Sequence, residues 1–128
     1  MGGILVVDDD EDALFFLQEA LGILGREVTG AVSAFEALDF LAEREVDLIV
    51  LDLHMPGMSG LDLLRRIRDT DRDVPIIVCS AYPGLRNDFA IWNSGVAAFL
   101  AKPIAPDVLA REAAAALSGR RTEPEGTS

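Results

Sequence analysis

Three apolar runs in this chain each end in residues that could do chemistry. Ile4-Leu5-Val6-Val7 runs into Asp8-Asp9, Leu48-Ile49-Val50-Leu51 into Asp52, and Ala98-Phe99-Leu100-Ala101 into Lys102-Pro103. Lys102 is the only lysine; the other ten basic residues are arginine. Continuous apolar runs of this length read as strands buried on both faces, as parallel strands are. In an open parallel sheet, ligands bind outside the carboxyl ends of the strands, where strand order reverses. The three endings are therefore expected at one rim, as three carboxylates and one ammonium. Unit charges ~4 Å apart interact by about 1 kcal/mol in water and about 4 kcal/mol at an effective dielectric of 20. Such carboxylates repel unless a cation sits among them. Oxygen donors with room for water and a phosphate suit Mg²⁺.

The elements that must position these residues alternate strand and helix five times. The first strand is expected at about 3–8. The first helix follows at 11–24, with Leu14, Leu17, Leu21 and Leu24 on one stripe. A short strand at 26–29 follows Gly25. Ser33-Ala34-Phe35-Glu36 is a capping box that opens a second helix, ending near Arg44. The third strand is expected at 47–52 and the third helix at 60–69. The fourth strand follows at 74–80, and a shorter, more polar helix at 84–93 is closed by Gly95. A fifth strand at 96–101 precedes a helix that starts at Pro106 and ends near Leu117. In the fourth helix Leu85, Phe89 and Trp92 form one stripe toward the sheet, which leaves Ile91 outward as a candidate partner contact with the run Ala113-Ala114-Ala115-Ala116. The rhythm predicts a doubly wound α/β domain over residues 1–118, and 119–128 reads as a polar tail or truncated linker.

At 128 residues the chain suits one domain, and half of its residues are hydrophobic. The net charge of −11 repels nucleic acid, so direct DNA binding is not expected. No apolar stretch reaches the ~18–20 residues of a membrane span. The first residues read as a strand rather than a signal peptide, which points to the cytoplasm. The single cysteine, Cys79, lies within an apolar run and reads as a small core residue.

Four motifs stand in order and register: Val7-Asp8-Asp9, Leu51-Asp52-Leu53-His54-Met55-Pro56-Gly57-Met58-Ser59-Gly60, Ser80-Ala81, and Phe99-Leu100-Ala101-Lys102-Pro103. Over about residues 3–118 the chain resembles the receiver domains of bacterial two-component response regulators. The resemblance implies a flavodoxin-like, five-stranded parallel sheet, order 2-1-3-4-5, with five helices on two faces. It implies that Asp52 is the phosphoacceptor, that Asp9, Asp52 and the backbone carbonyl of His54 bind Mg²⁺ directly, and that Asp8 acts largely through water. Lys102 and Ser80 then stabilise the transferring group, with a cis Lys102–Pro103 peptide aiming the lysine inward. Ser80 and Phe99 match the family's switch pair, and His54 and Tyr82 the positions that tune hydrolysis. The implied partners are a sensor histidine kinase or phosphotransfer protein, an output partner or domain met at the face of helix 4, strand 5 and helix 5, and a second copy in a phosphorylation-dependent homodimer. The chain is then no enzyme toward a separate substrate but catalyses its own phosphorylation and dephosphorylation.

Other readings compete. Asp8, Asp10, Asp12 and Glu19 fall on positions of a calcium loop, but Ala13 stands where glycine is needed and a β-rich run precedes it. An Asp-x-Asp phosphatase needs a carboxylate at position 54, where His54 stands. The sole histidine is itself a candidate phosphoacceptor or metal ligand, against an ordinary exposed loop residue. The alternative in another class is a receiver-like interaction module that works without phosphorylation.

Overall fold

The computed structural model describes residues 2–71 and 73–119. Its five parallel strands are β1 (Gly3–Val7), β2 (Val28–Ala31), β3 (Val46–Asp52), β4 (Ile76–Ser80) and β5 (Ala98–Ala101), in the order β2-β1-β3-β4-β5. The five helices are α1 (Glu11–Leu21), α2 (Ala34–Glu43), α3 (Gly60–Thr70), α4 (Phe89–Asn93) and α5 (Pro106–Leu117). Strand residues alternate between two cores because successive side chains leave opposite faces of a strand. Ile4, Val6, Leu48, Val50, Ile77 and Cys79 meet Leu14, Leu17 and Leu21 of α1 and Leu109, Ala113 and Ala116 of α5. Leu5, Val7, Ile49, Leu51, Val78 and Phe99 meet α2 and α3 through Ala34, Ala37, Leu63, Leu64 and Ile67. Cys79 is buried and burial pushes its thiol up to about 12, which makes it an inert core side chain.

Several boundaries differ from the sequence expectation, each for a local reason. The first helix gives way at Gly22 to a 3-10 turn, Gly22–Leu24, and Gly25 closes that turn at φ 75. The second strand begins two residues late because Arg26 reaches back to the Gly2 carbonyl and to Asp47. The fourth begins at Ile76 because Pro75 has no N–H; its carbonyl still accepts from the Ile49 N–H. Ala34–Glu43 is capped as read: Ser33 Oγ accepts from the Glu36 N–H, and Glu36 accepts from the Val32 N–H. Apart from Gly119, the expected tail lies outside the described residues.

The larger correction concerns residues 83–93. They are not one helix but a 3-10 segment, Pro83–Asn87, followed by α4. Asp88 separates the two: its backbone is extended (φ −70, ψ 118) and its carboxylate accepts from the Ala90 N–H over 2.8 Å. Asn and Asp compete for backbone hydrogen bonds in this way and so favour caps over helix interiors. The interruption resets the helical phase. Ile91 is 1% exposed, packed in the core with Val78, Val96 and Phe99, whereas Phe89 is 79% exposed. The partner contact expected at Ile91 is therefore withdrawn, and half of the alanine run goes with it, since Ala113 and Ala116 are buried.

Candidate functional site

The site forms where β1, β3 and β5 end. β1–β2 pairing continues one step past the strand, with the Asp8 N–H donating to the Ala31 carbonyl. Asp8 is thereby held buried at the rim, while Asp9 beyond it is exposed. Asp10 caps α1, its carboxylate accepting from the Asp12 and Ala13 N–H groups. With Glu11–Leu21 helical, residues 8–19 cannot be a calcium loop. Asp52 ends β3, next to β4 with Cys79 as its register partner. Gly60 lets α3 start close against it: a Cβ there would stand 2.4 Å from the Asp52 carbonyl oxygen, and the Gly60 N–H donates to Leu53. On the far side the Lys102 N–H donates to the Ser80 carbonyl over 2.8 Å, and the Lys102–Pro103 peptide is cis.

Carboxylate oxygens of Asp8, Asp9 and Asp52 all lie within 4.8 Å of one another. Lys102 Nζ donates to Asp8 Oδ2 over 3.0 Å and stands 3.6 Å from Asp52 Oδ2. The remaining oxygens are also directed: Asp8 Oδ1 accepts from the Asp10 N–H over 3.0 Å, and Asp52 Oδ1 from the His54 N–H over 3.3 Å. Burial pushes the Asp52 carboxyl above the ordinary carboxylate range and Asp8 adds to the rise, against the lowering effect of the His54 N–H and Lys102. For Lys102, burial favours the neutral amine, but the Asp8 hydrogen bond and the Asp52 and Asp8 charges outweigh it and raise its pKa. The ammonium is held charged against two buried carboxylates. Three carboxylates against one ammonium leave a surplus of negative charge, carried by hard oxygen donors alone. That donor set fits a small divalent cation.

Ser80 is fully buried at the end of β4. Its Oγ lies 3.2 Å from His54 Nε2 and accepts from the Tyr82 N–H over 3.0 Å. The rings of His54 and Tyr82 meet edge-on, with centroids 4.3 Å apart. Phe99 is buried, with the Arg86 guanidinium 5.2 Å above its ring. So Asp8, Asp9, Asp52 and Lys102 form one cluster, His54, Ser80 and Tyr82 a second beside it, and Phe99 lies buried on β5 beside β4. Three contacts escaped the sequence reading. Arg86 over Phe99 is one, and the His54–Ser80 bond, 26 positions apart, is another. The third is Arg68 of α3, which donates to the Ser94 and Gly95 carbonyls and ties down the end of α4. No spacing rule signals any of them, since each joins separate elements.

The family model for the response regulator receiver domain matches residues 4–114. "Response regulator MprA" of Mycobacterium avium is 38% identical over 122 residues, covering 95% of this chain and 53% of that protein. The chain thus spans about half the length of the curated relatives it matches. Among solved structures, a CheY-like receiver domain protein from Methanospirillum hungatei superposes with a TM-score of 0.86 at 28% identity, covering 93% of this chain and 95% of that one. The response regulator TrrA from Thermotoga maritima, solved in complex with Mg²⁺ and beryllofluoride, gives 0.82 at 34% identity, covering 91% and 99%.

Proposed function

Because the chain belongs to the receiver domain family of response regulators, we propose that its two-component switch works by taking a phosphoryl group onto Asp52. The observation that carries this is the cluster itself: three carboxylates within 4.8 Å of one another, facing one ammonium. Mg²⁺, held by Asp9, Asp52, the His54 backbone carbonyl and, through water, Asp8, would neutralise charge on the transferring oxygens. An Asp52 carboxylate oxygen bonds to phosphorus as the bond to the donor breaks, a P–N bond in a phosphohistidine or a P–O bond in acetyl phosphate. The donor's imidazole or acetate leaves. Lys102 balances charge beside Asp52 Oδ2, and Ser80 donates to a phosphoryl oxygen. Hydrolysis by water returns inorganic phosphate and the free carboxylate. The chain on this reading acts on no substrate but its own phosphoryl donor and phosphoryl group.

A sensor histidine kinase or phosphotransfer protein is the proposed donor, in the cytoplasm. No described helix is long and apolar enough to cross a membrane. The proposed output face is that of α4, β5 and α5, offered to an output partner or domain or to a second copy of the chain. What supports it is that Phe99 of β5 pairs with Val78, two residues before Ser80. The experiment is incubation with acetyl phosphate and Mg²⁺, with the expectation of one phosphoryl group per chain, lost on adding a chelator. No uptake favours the phosphorylation-independent interaction module instead.

Lifetime follows from the second cluster. Tyr82 is 59% exposed and its ring is braced by that of His54; on this reading it screens a phosphoryl group on Asp52 from in-line water. Tyr82→Ala is expected to shorten the phosphorylated half-life by on the order of threefold. An unchanged half-life in a chase after donor removal sinks the screening role.

A further inference from the structure

Both hydrogen bonds of the Ser80 hydroxyl go to neighbouring loop residues, and neither to Asp52. The Tyr82 N–H donates to Ser80 Oγ over 3.0 Å, and His54 Nε2 lies 3.2 Å from the same oxygen. The imidazole is fixed in turn. Its ring meets that of Tyr82 with the planes at 61°, and its backbone N–H donates to Asp52 Oδ1. A hydroxyl has one hydrogen and two lone pairs, and two of these three positions are taken. Ser80 can donate to a phosphoryl oxygen on Asp52 only with its one hydrogen, and where Nε2 is the acceptor that hydrogen is the one the imidazole holds.

We infer that His54 is a positioning residue, a latch that holds the Ser80 hydroxyl in its resting orientation and competes with the phosphoryl group for it. This rests on the proposed role of Asp52 and adds a threshold to it. The latch joins the loop after β3 to the last residue of β4 through one hydrogen bond, with Tyr82 bracing the ring. Phosphorylation therefore breaks a contact as well as making one, and the cost of breaking it sets how readily the domain switches. His54 is exposed, so it can be replaced without opening the core.

Beryllofluoride with Mg²⁺ is the probe for the phosphorylated state, titrated into the full chain and followed by fluorescence of Trp92, the only tryptophan. His54→Phe keeps an aromatic edge against Tyr82 and removes the nitrogen. It is expected to bind beryllofluoride about fivefold more tightly, the yield of one lost hydrogen bond. His54→Gln, with an amide in reach of Ser80, is expected to return toward the wild-type affinity. A second readout needs no metal. The chain has one histidine, so its ring gives one pair of ¹⁵N signals. In metal-free protein Ser80→Ala is expected to shift the Nε2 signal, and beryllofluoride with Mg²⁺ to shift that of the wild type the same way. If wild type binds and His54→Phe binds no more tightly, or if Ser80→Ala leaves the Nε2 signal in place, the latch is overturned alone. If wild type takes up no beryllofluoride, the phosphoacceptor reading falls and the latch with it.

Discussion

Asp52→Asn is expected to abolish phosphoryl uptake from acetyl phosphate, a loss on the order of a thousandfold or more because an amide offers no nucleophilic oxygen anion. The substitution keeps the shape of a side chain that is almost fully buried between Asp8 and Lys102, so the loss is not one of folding. Labelling of the variant equal to wild type would move the phosphoacceptor elsewhere. The same variant reports on the electrostatics. Burial raises the Asp52 pKa, so its ionised form is less favourable in the folded chain than in the unfolded one. A group raised in this way contributes its full stability at pH below the ordinary carboxylate range and loses it as pH rises through the folded value. At neutral pH the charged Asp52 is therefore a net cost in metal-free protein. Asp52→Asn is expected to melt at a higher temperature there, with the gain shrinking as pH falls into the carboxylate range. A lower melting temperature at neutral pH without divalent cations contradicts this sign.

Ile91→Asp is expected to destabilise the domain by about 4 kcal/mol, the sum of a lost buried side chain and an unpaired buried charge. Domains of this size are stable by only ~5–15 kcal/mol, so much of that margin goes. Ile91 is 1% exposed within the core that α2, α3 and α4 cover. Phe89→Asp, two residues earlier at 79% exposure, is expected to stay within about 0.5 kcal/mol of wild type. Urea unfolding of the two variants decides the matter. An unchanged midpoint for Ile91→Asp, with a large loss for Phe89→Asp, restores the uninterrupted helix that periodicity suggests.

Much of the molecule is legible in the chain because its signals are local. A buried parallel strand needs apolar residues on both faces, so Leu48–Leu51 and Ile76–Cys79 announce themselves. The charged ends of the β1, β3 and β5 runs mark the rim, where Asp8, Asp52 and Lys102 do lie together. Ser33 and Ser59 cap the helices that follow them, since a cap bonds a backbone N–H within one turn of itself. α5 begins at the proline that predicts it and ends at Leu117, as read. Helix 4 shows where this stops. Stripe counting over 84–93 assumes an unbroken period. Asn87 and Asp88 made a break available, and only packing against the sheet, with Arg68 holding the Ser94 and Gly95 carbonyls, decided that Ile91 rather than Phe89 turns inward. The second cluster is of the same kind. His54 and Ser80 are separated by 26 positions, Lys102 and Asp8 by 94. A charge at the end of a strand can be read from its neighbours, and so can the need for a counter-charge. Which oxygen faces which nitrogen depends on strand register, loop course and rotamer together, and these exist only once the sheet has closed.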